Sequence, residues 1–194
     1  MKNTLLYTLI LVVAVMLVVD IIVAFMSRRP YHVVHYDAVY EYGFTDVATF
    51  TTTTRVVFKK EEYVDSYLKS MSEGATAVIE KYFDDLGERL KRKFVVVSYG
   101  YETSKIDPKT LEINEVLVIK GVVRKKGDEF VASLGDVKIN AVSDSSVEVV
   151  LPKEAKVIKT DPEPSERVED DRSVRLFWKG EKVKRFPEVV YGKR

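Results

Sequence analysis

Two histidines, His32 and His35, stand a few residues from Asp37 and Glu41, and these are residue types from which a metal chelate or a proton relay can be built. A His-x-x-His pair chelates well from one face of a helix. In a strand, side chains three apart point to opposite sides. The surrounding run has a period of two, so the pair is expected to be badly placed as a chelate and to serve as juxtamembrane histidines near lipid headgroups. Thiol chemistry is excluded because the chain has no cysteine. A Ser or Thr nucleophile would have to borrow its base from the same two histidines or from a lysine, and no Gly-x-Ser-x-Gly elbow is present. Neither a Walker loop nor a dinucleotide fingerprint occurs. Carboxylate pairs of the glycosidase kind remain open, since 30 acids always offer pairs. The acidic clusters Asp84-Asp85 and Glu169-Asp170-Asp171 read as solvated surface. No residue is assigned a catalytic, cofactor-binding or metal role, and no cofactor is expected.

One ionisable residue stands apart. Asp20 lies inside the apolar run from Leu5 to Met26, six residues from its C-terminal end. That run would span about 33 Å as a helix at about 1.5 Å per residue, against a hydrocarbon core of about 30 Å. Lys2 and Asn3 flank it on one side and Ser27, Arg28, Arg29 and Pro30 on the other, with Tyr7 and the Phe25–Tyr31 region placing aromatic rings near both interfaces. The run ends in Phe25-Met26-Ser27-Arg28-Arg29, which lacks a small-x-small cleavage site, so a retained anchor is favoured over a cleaved signal. The expected organisation is a short tail (1–4), a transmembrane helix (5–26) and one β-rich domain (27–194). A carboxylate within a bilayer costs about 3 kcal/mol at the centre. Asp20 is therefore the candidate for a helix–helix contact with a protein partner in the same membrane. The alternative is that it reaches the headgroups at little cost. Positive-inside counting is nearly a tie, Lys2 and the amino terminus against Arg28 and Arg29.

The elements after the anchor follow from periodicity. Tyr31–Tyr42 reads as a strand with Val34, Tyr36, Ala38, Tyr40 and Tyr42 on one face. The Gly43–Asp46 turn leads into a second β-branched run, Val47–Lys59, and the two are expected to pair as a hairpin. Within it, Thr49–Thr54 is read as ordinary exposed strand. From Glu61 to Lys93 the apolar steps become three and four, as in an amphipathic helix, with Gly74 and Gly87 allowing either two helices or one long kinked one. Lys91, Arg92 and Lys93 suit the negative end of its dipole. Beyond Phe94 come Phe94–Thr103, Glu112–Lys125, Glu129–Leu134, Asp136–Ile139, Val147–Leu151, Ala155–Lys159 and Ser173–Trp178 as strands. An exposed polar loop covers 161–171, and the chain ends in a tail. The fold class is α+β, an antiparallel sheet with the helix across one face.

Composition narrows the partners. Lys+Arg 31 against Asp+Glu 30 gives a net charge of +1, so no field favours nucleic acid. Glutamine is absent and only Asn3, Asn114 and Asn140 occur, beside abundant Lys and Glu. Few thermolabile amides with high charge is the hyperthermophile pattern.

Val149-Val150-Leu151-Pro152-Lys153-Glu154-Ala155-Lys156-Val157, the Pro162/Pro164 loop, Phe177-Trp178-Lys179-Gly180 and Pro187-Glu188-Val189-Val190-Tyr191 resemble a family of uncharacterised membrane-anchored proteins of hyperthermophilic archaea, the Thermococcus and Pyrococcus group. That resemblance implies a tethered domain of unknown function outside the cytoplasm and carries over no catalytic residue. The expected function is a single-pass, non-enzymatic envelope protein whose β-rich domain binds a partner or joins a membrane assembly. The alternatives are a membrane-anchored hydrolase using paired carboxylates and a cytoplasm-facing accessory subunit.

Overall fold

Strands β1 (Tyr31–Tyr42) and β2 (Val47–Phe58) form the hairpin that the alternating pattern predicts, paired from Tyr31↔Phe58 to Tyr42↔Ala48. They belong to a computed structural model that describes residues 30–139, 142–180 and 184–194. The predicted anchor and Asp20 lie outside the described residues. Among the described residues no helix is long and apolar enough to cross a membrane.

A single helix α1 (Glu62–Leu90) follows the hairpin and runs on through Gly74. Lys91 then turns left-handed at φ 51°, and the Arg92 amide returns to the Gly87 carbonyl at 2.9 Å, which ends the helix. Gly87 permits this close return, because a Cβ there would lie 2.6 Å from the Arg92 carbonyl oxygen. Arg92 does not act on the helix dipole as expected. Its guanidinium donates to the carbonyls of Gly121, Val122 (3.0 Å) and Ser133 (2.7 Å) and lies over the Phe94 ring.

The remaining strands are β3 (Val95–Asp107), β4 (Thr110–Lys120), β5 (Val123–Lys126), β6 (Glu129–Ala132), β7 (Ser145–Pro152), β8 (Ala155–Asp161), β9 (Glu166–Glu169), β10 (Ser173–Lys179) and β11 (Glu188–Lys193). They make two sheets, one ordered β3-β4-β2-β1-β7-β10-β9 and one ordered β5-β6-β11-β8. The fold is α+β as expected, with three corrections. First, the larger sheet is mixed, because β1 and β7 pair in parallel from Tyr36↔Ser145 to Glu41↔Val150. A parallel pair needs a long crossover, and the hundred-odd residues between these strands supply one that a local pattern cannot reveal. Second, Glu112–Lys125 is not one strand. Gly121, at φ +91° and pressed against the Lys93 carbonyl, breaks it and sends β5 into the second sheet. Third, the tail is β11, hydrogen-bonded between β6 and β8, with Val189 and Tyr191 fully buried. The polar loop also gains a short exposed strand, β9, at the sheet edge.

Apolar burial falls into two clusters. The smaller joins Val56, Phe58, Leu111 and Ile113 of the sheet to Val64 at the start of α1, with Leu68 and Met71 packed on it. The larger joins the second sheet and β1, β7 and β10 to Phe83 and Leu86 near the end of α1. Each fully buried large side chain contributes about 1.5–3 kcal/mol, so the helix is held at both ends.

Candidate functional site

Between the two anchored ends of α1 the helix carries its smallest side chains. Gly74 and Ala75 fall on the stripe between Met71 and Ile79, and a Cβ on Gly74 would meet nothing within 4 Å. A partly open pocket of about 350 Å³ is left between helix and sheet. The sheet supplies Tyr36 and Tyr40 from β1, Phe50, Thr52 and Thr54 from β2, Glu115 and Leu117 from β4, and Tyr99 from β3. Residues spaced by two along each strand share this inward face. The helix contributes Ile79 and Phe83, and Leu134, Val137, Ile139 and Phe186 line the pocket from irregular segments. Those segments are fixed by the Lys138↔Arg185 bridge and by hydrogen bonds from the Phe186 amide to the Val137 carbonyl (2.8 Å) and from the Ile139 amide to the Lys184 carbonyl (3.1 Å). The Asp136–Ile139 strand of the sequence reading is in fact this isolated bridge.

Two hydrogen-bonded polar clusters stand in the apolar wall. Glu115 is paired across the strands with Thr52 and Tyr101. Its carboxylate accepts from the Tyr99 hydroxyl at 2.6 Å and from the Thr52 hydroxyl at 3.2 Å. Tyr36 and Tyr40 place their hydroxyl oxygens 3.0 Å apart, so one donates to the other and the second proton is left to donate elsewhere. Burial pushes the Tyr99 phenol well up, and the hydrogen bond and charge of Glu115 push it further. Burial likewise raises Tyr36 and, more strongly, Tyr40. Tyr67 on α1 is pushed up to about 12 by burial, with Tyr31 and Glu115 adding to it. The phenols are therefore neutral around pH 7, and Glu115 is the acidic side chain of the lining.

The histidines occupy the opposite face of the sheet. A β-bulge between Val33 and His35 absorbs one residue, so His32 pairs with Val57 and His35 with Arg55, both outward-facing positions of β2. The two histidines thus share a face, contrary to the strict period of two. His35 nonetheless faces carboxylates rather than His32: Nε2 lies 2.9 Å from Asp37 and Nδ1 3.0 Å from Asp144. Ser146 donates to Asp37 at 2.6 Å, not to the histidine, so nothing in this cluster activates the hydroxyl as a nucleophile. Among the described residues no three His, Cys, Asp or Glu side chains form a metal-holding group. The acidic stretch 169–171 is structural surface: Asp170 accepts from the Arg172 and Ser173 amides at 2.7 and 2.8 Å, and Glu169 pairs with Arg167 and Arg194. Asp84 and Asp85 are exposed on α1. In the threonine tract, Thr52 and Thr54 line the pocket, while Thr53 donates to Asn114 at 2.8 Å. Sequence reasoning missed Glu115 although a signal was present, an acid between Ile113 and Leu117 on an inward face.

The chain belongs to the family described as Domain of unknown function (DUF4897), which matches residues 31–192. No curated protein matches it. Among solved structures it is similar to the M1 zinc metallopeptidase of Deinococcus radiodurans, at 11% identity and a TM-score of 0.37 over 85% of this chain and 43% of that one. A mutant of the same enzyme gives 9% identity and a TM-score of 0.36 over the same shares. The chain thus spans less than half the length of these structures, and likeness of this order says nothing of what it does.

Proposed function

We propose that this DUF4897 domain is a non-enzymatic module, tethered to a membrane by residues 5–26, that binds a small and largely apolar molecule between α1 and the sheet. The observation that carries the reading is the pocket. Its volume of about 350 Å³ lies within the range of small-molecule sites, and its wall is apolar and aromatic with few polar groups, as such sites are built. The tether gives it a source of ligand. Six residues separate Met26 from Val33 in the pocket lining, a reach of at most about 23 Å, so a tether at 5–26 would keep the pocket close to a surface where amphiphiles concentrate. The hydrolase alternative needs two converging acids, and the described lining holds one, Glu115. Placement outside the cytoplasm, an archaeal hyperthermophile source and a helix–helix contact of Asp20 with a protein partner belong to the same proposal.

The test is displacement of an environment-sensitive apolar fluorophore from the full chain in mild detergent, with Val137→Trp as a variant that fills the pocket from its irregular side. Saturable binding that Val137→Trp weakens roughly tenfold, or about 1.4 kcal/mol, while thermal unfolding is unchanged, is the expected result. Binding indifferent to Val137→Trp would sink the reading. Membrane tethering is checked separately: the chain is expected to stay with the membrane fraction through an alkaline carbonate wash.

A further inference from the structure

Resting on the pocket reading, we infer that the ligand is an organic cation: a protonated or quaternary amine on a short apolar arm, with its charge read by Glu115. Six of the sixteen lining residues are aromatic, Tyr36, Tyr40, Phe50, Phe83, Tyr99 and Phe186. Aromatic faces attract a cation through their quadrupole. The carboxylate among them receives hydrogen bonds from two neutral hydroxyls, Tyr99 and Thr52, and among the described residues no ion pair is made to it. A partly buried carboxylate without a counter-charge is unfavourable in an apolar setting, and its field reaches the hydroxyls of Tyr36, Tyr67 and Tyr99. An ammonium entering this space supplies the missing charge and donates to the free lone pairs of Glu115. Lys138, the other charged residue of the lining, is exposed and therefore screened by solvent, whereas Glu115 is partly buried, so the carboxylate is the charge that a ligand inside the pocket meets. At about 30 Å³ per heavy atom, taking the liquid volume of a water as the yardstick, 350 Å³ accommodates about a dozen non-hydrogen atoms. Long lipid chains exceed that, and a phenylalkyl or medium-chain amine fits it.

Isothermal titration of the full chain in mild detergent at neutral pH with phenylbutylamine, phenylbutanol and phenylbutyrate tests this. The three share one apolar arm and differ at the head. The expected order is amine above alcohol by roughly tenfold or more, as for a hydrogen bond to a charged group, with the carboxylate weakest. Added salt is expected to weaken the amine and leave the alcohol unchanged. In Glu115→Gln the amine should fall to the level of the alcohol. Alcohol binding as tight as the amine would overturn the cation assignment and leave the apolar pocket standing. Failure of all three ligands to bind would overturn both. The wild-type ranking and its salt dependence decide the matter even if Glu115→Gln does not fold.

Discussion

His35 makes a residue-scale prediction, because its environment pulls its ionisation in two directions. Burial lowers its pKa, while the hydrogen bond and charge of Asp144 and of Asp37 raise it by more, so it lies above the ordinary 6.5. A raised folded-state value means that the folded chain holds the proton more tightly than the unfolded chain. The stabilisation is therefore fully present below about pH 6.5 and fades as pH rises through the folded pKa of His35. Thermal unfolding followed across that window is expected to show a shallow loss of stability that His35→Gln removes. An unchanged slope in the variant would assign it to other groups. The bulge that delivers His35 to Asp144 inserts one residue between two regular runs, and a pattern of alternating apolar residues offers no way to see it. Glu115 was legible in principle. Its position breaks the apolar alternation of Ile113, Leu117 and Ile119, and an acid pointing into a core is a stronger hint than any exposed acidic cluster.

At the scale of elements, the crossing from the large sheet to the small one is concentrated in Gly121 and Arg92. An L side chain at Gly121 would need the strained φ of +91° and would set its Cβ 2.2 Å from the Lys93 carbonyl oxygen. Backbone strain alone costs about 1–3 kcal/mol, so Gly121→Ala is expected to lose more than about 2 kcal/mol in urea unfolding. Arg92 has been pulled down to about 10 by burial yet holds three carbonyls across this crossing. Arg92→Ala should cost about 2–4 kcal/mol by taking the donor from the Gly121 and Ser133 carbonyls, while the Val122 carbonyl keeps the Ser133 amide at 3.3 Å. Both changes act on one contact, so the double variant should lose less than the sum of the two. Additive losses would show that the guanidinium and the glycine hold separate features. The hairpin and α1 were readable because each declares its own period, two in one and three to four in the other. The β4–β5 break was not readable, because apolar β-branched residues continue on both sides of Gly121 and only the approach of Lys93 forces the turn.

For the whole molecule, the end of the chain holds the small sheet together. β11 lies between β6 and β8, and the Tyr191 ring stacks on Phe130 with centroids 5.6 Å apart. Its hydroxyl donates to the Gly43 carbonyl at 2.5 Å, which joins the small sheet to the turn of the first hairpin. The sequence read these residues as a tail because Pro187 and the charged run before it resemble an exit from structure, and a strand of six residues shows too few alternations to contradict them. The partners that make β11 central lie at residues 129–132 and 155–161, so only the assembled chain defines it. Ending the chain after Pro187 would leave β6 and β8 as two facing edges and expose Phe130 and Phe44. The shortened protein is expected to lose its cooperative thermal transition, whereas Tyr191→Phe, which keeps the ring and removes the donor, should keep the transition and lose about 1–3 kcal/mol for the unpaired Gly43 carbonyl. A shortened chain that still unfolds cooperatively would mean that the large sheet and α1 stand alone, and the pocket between them would then be independent of β11.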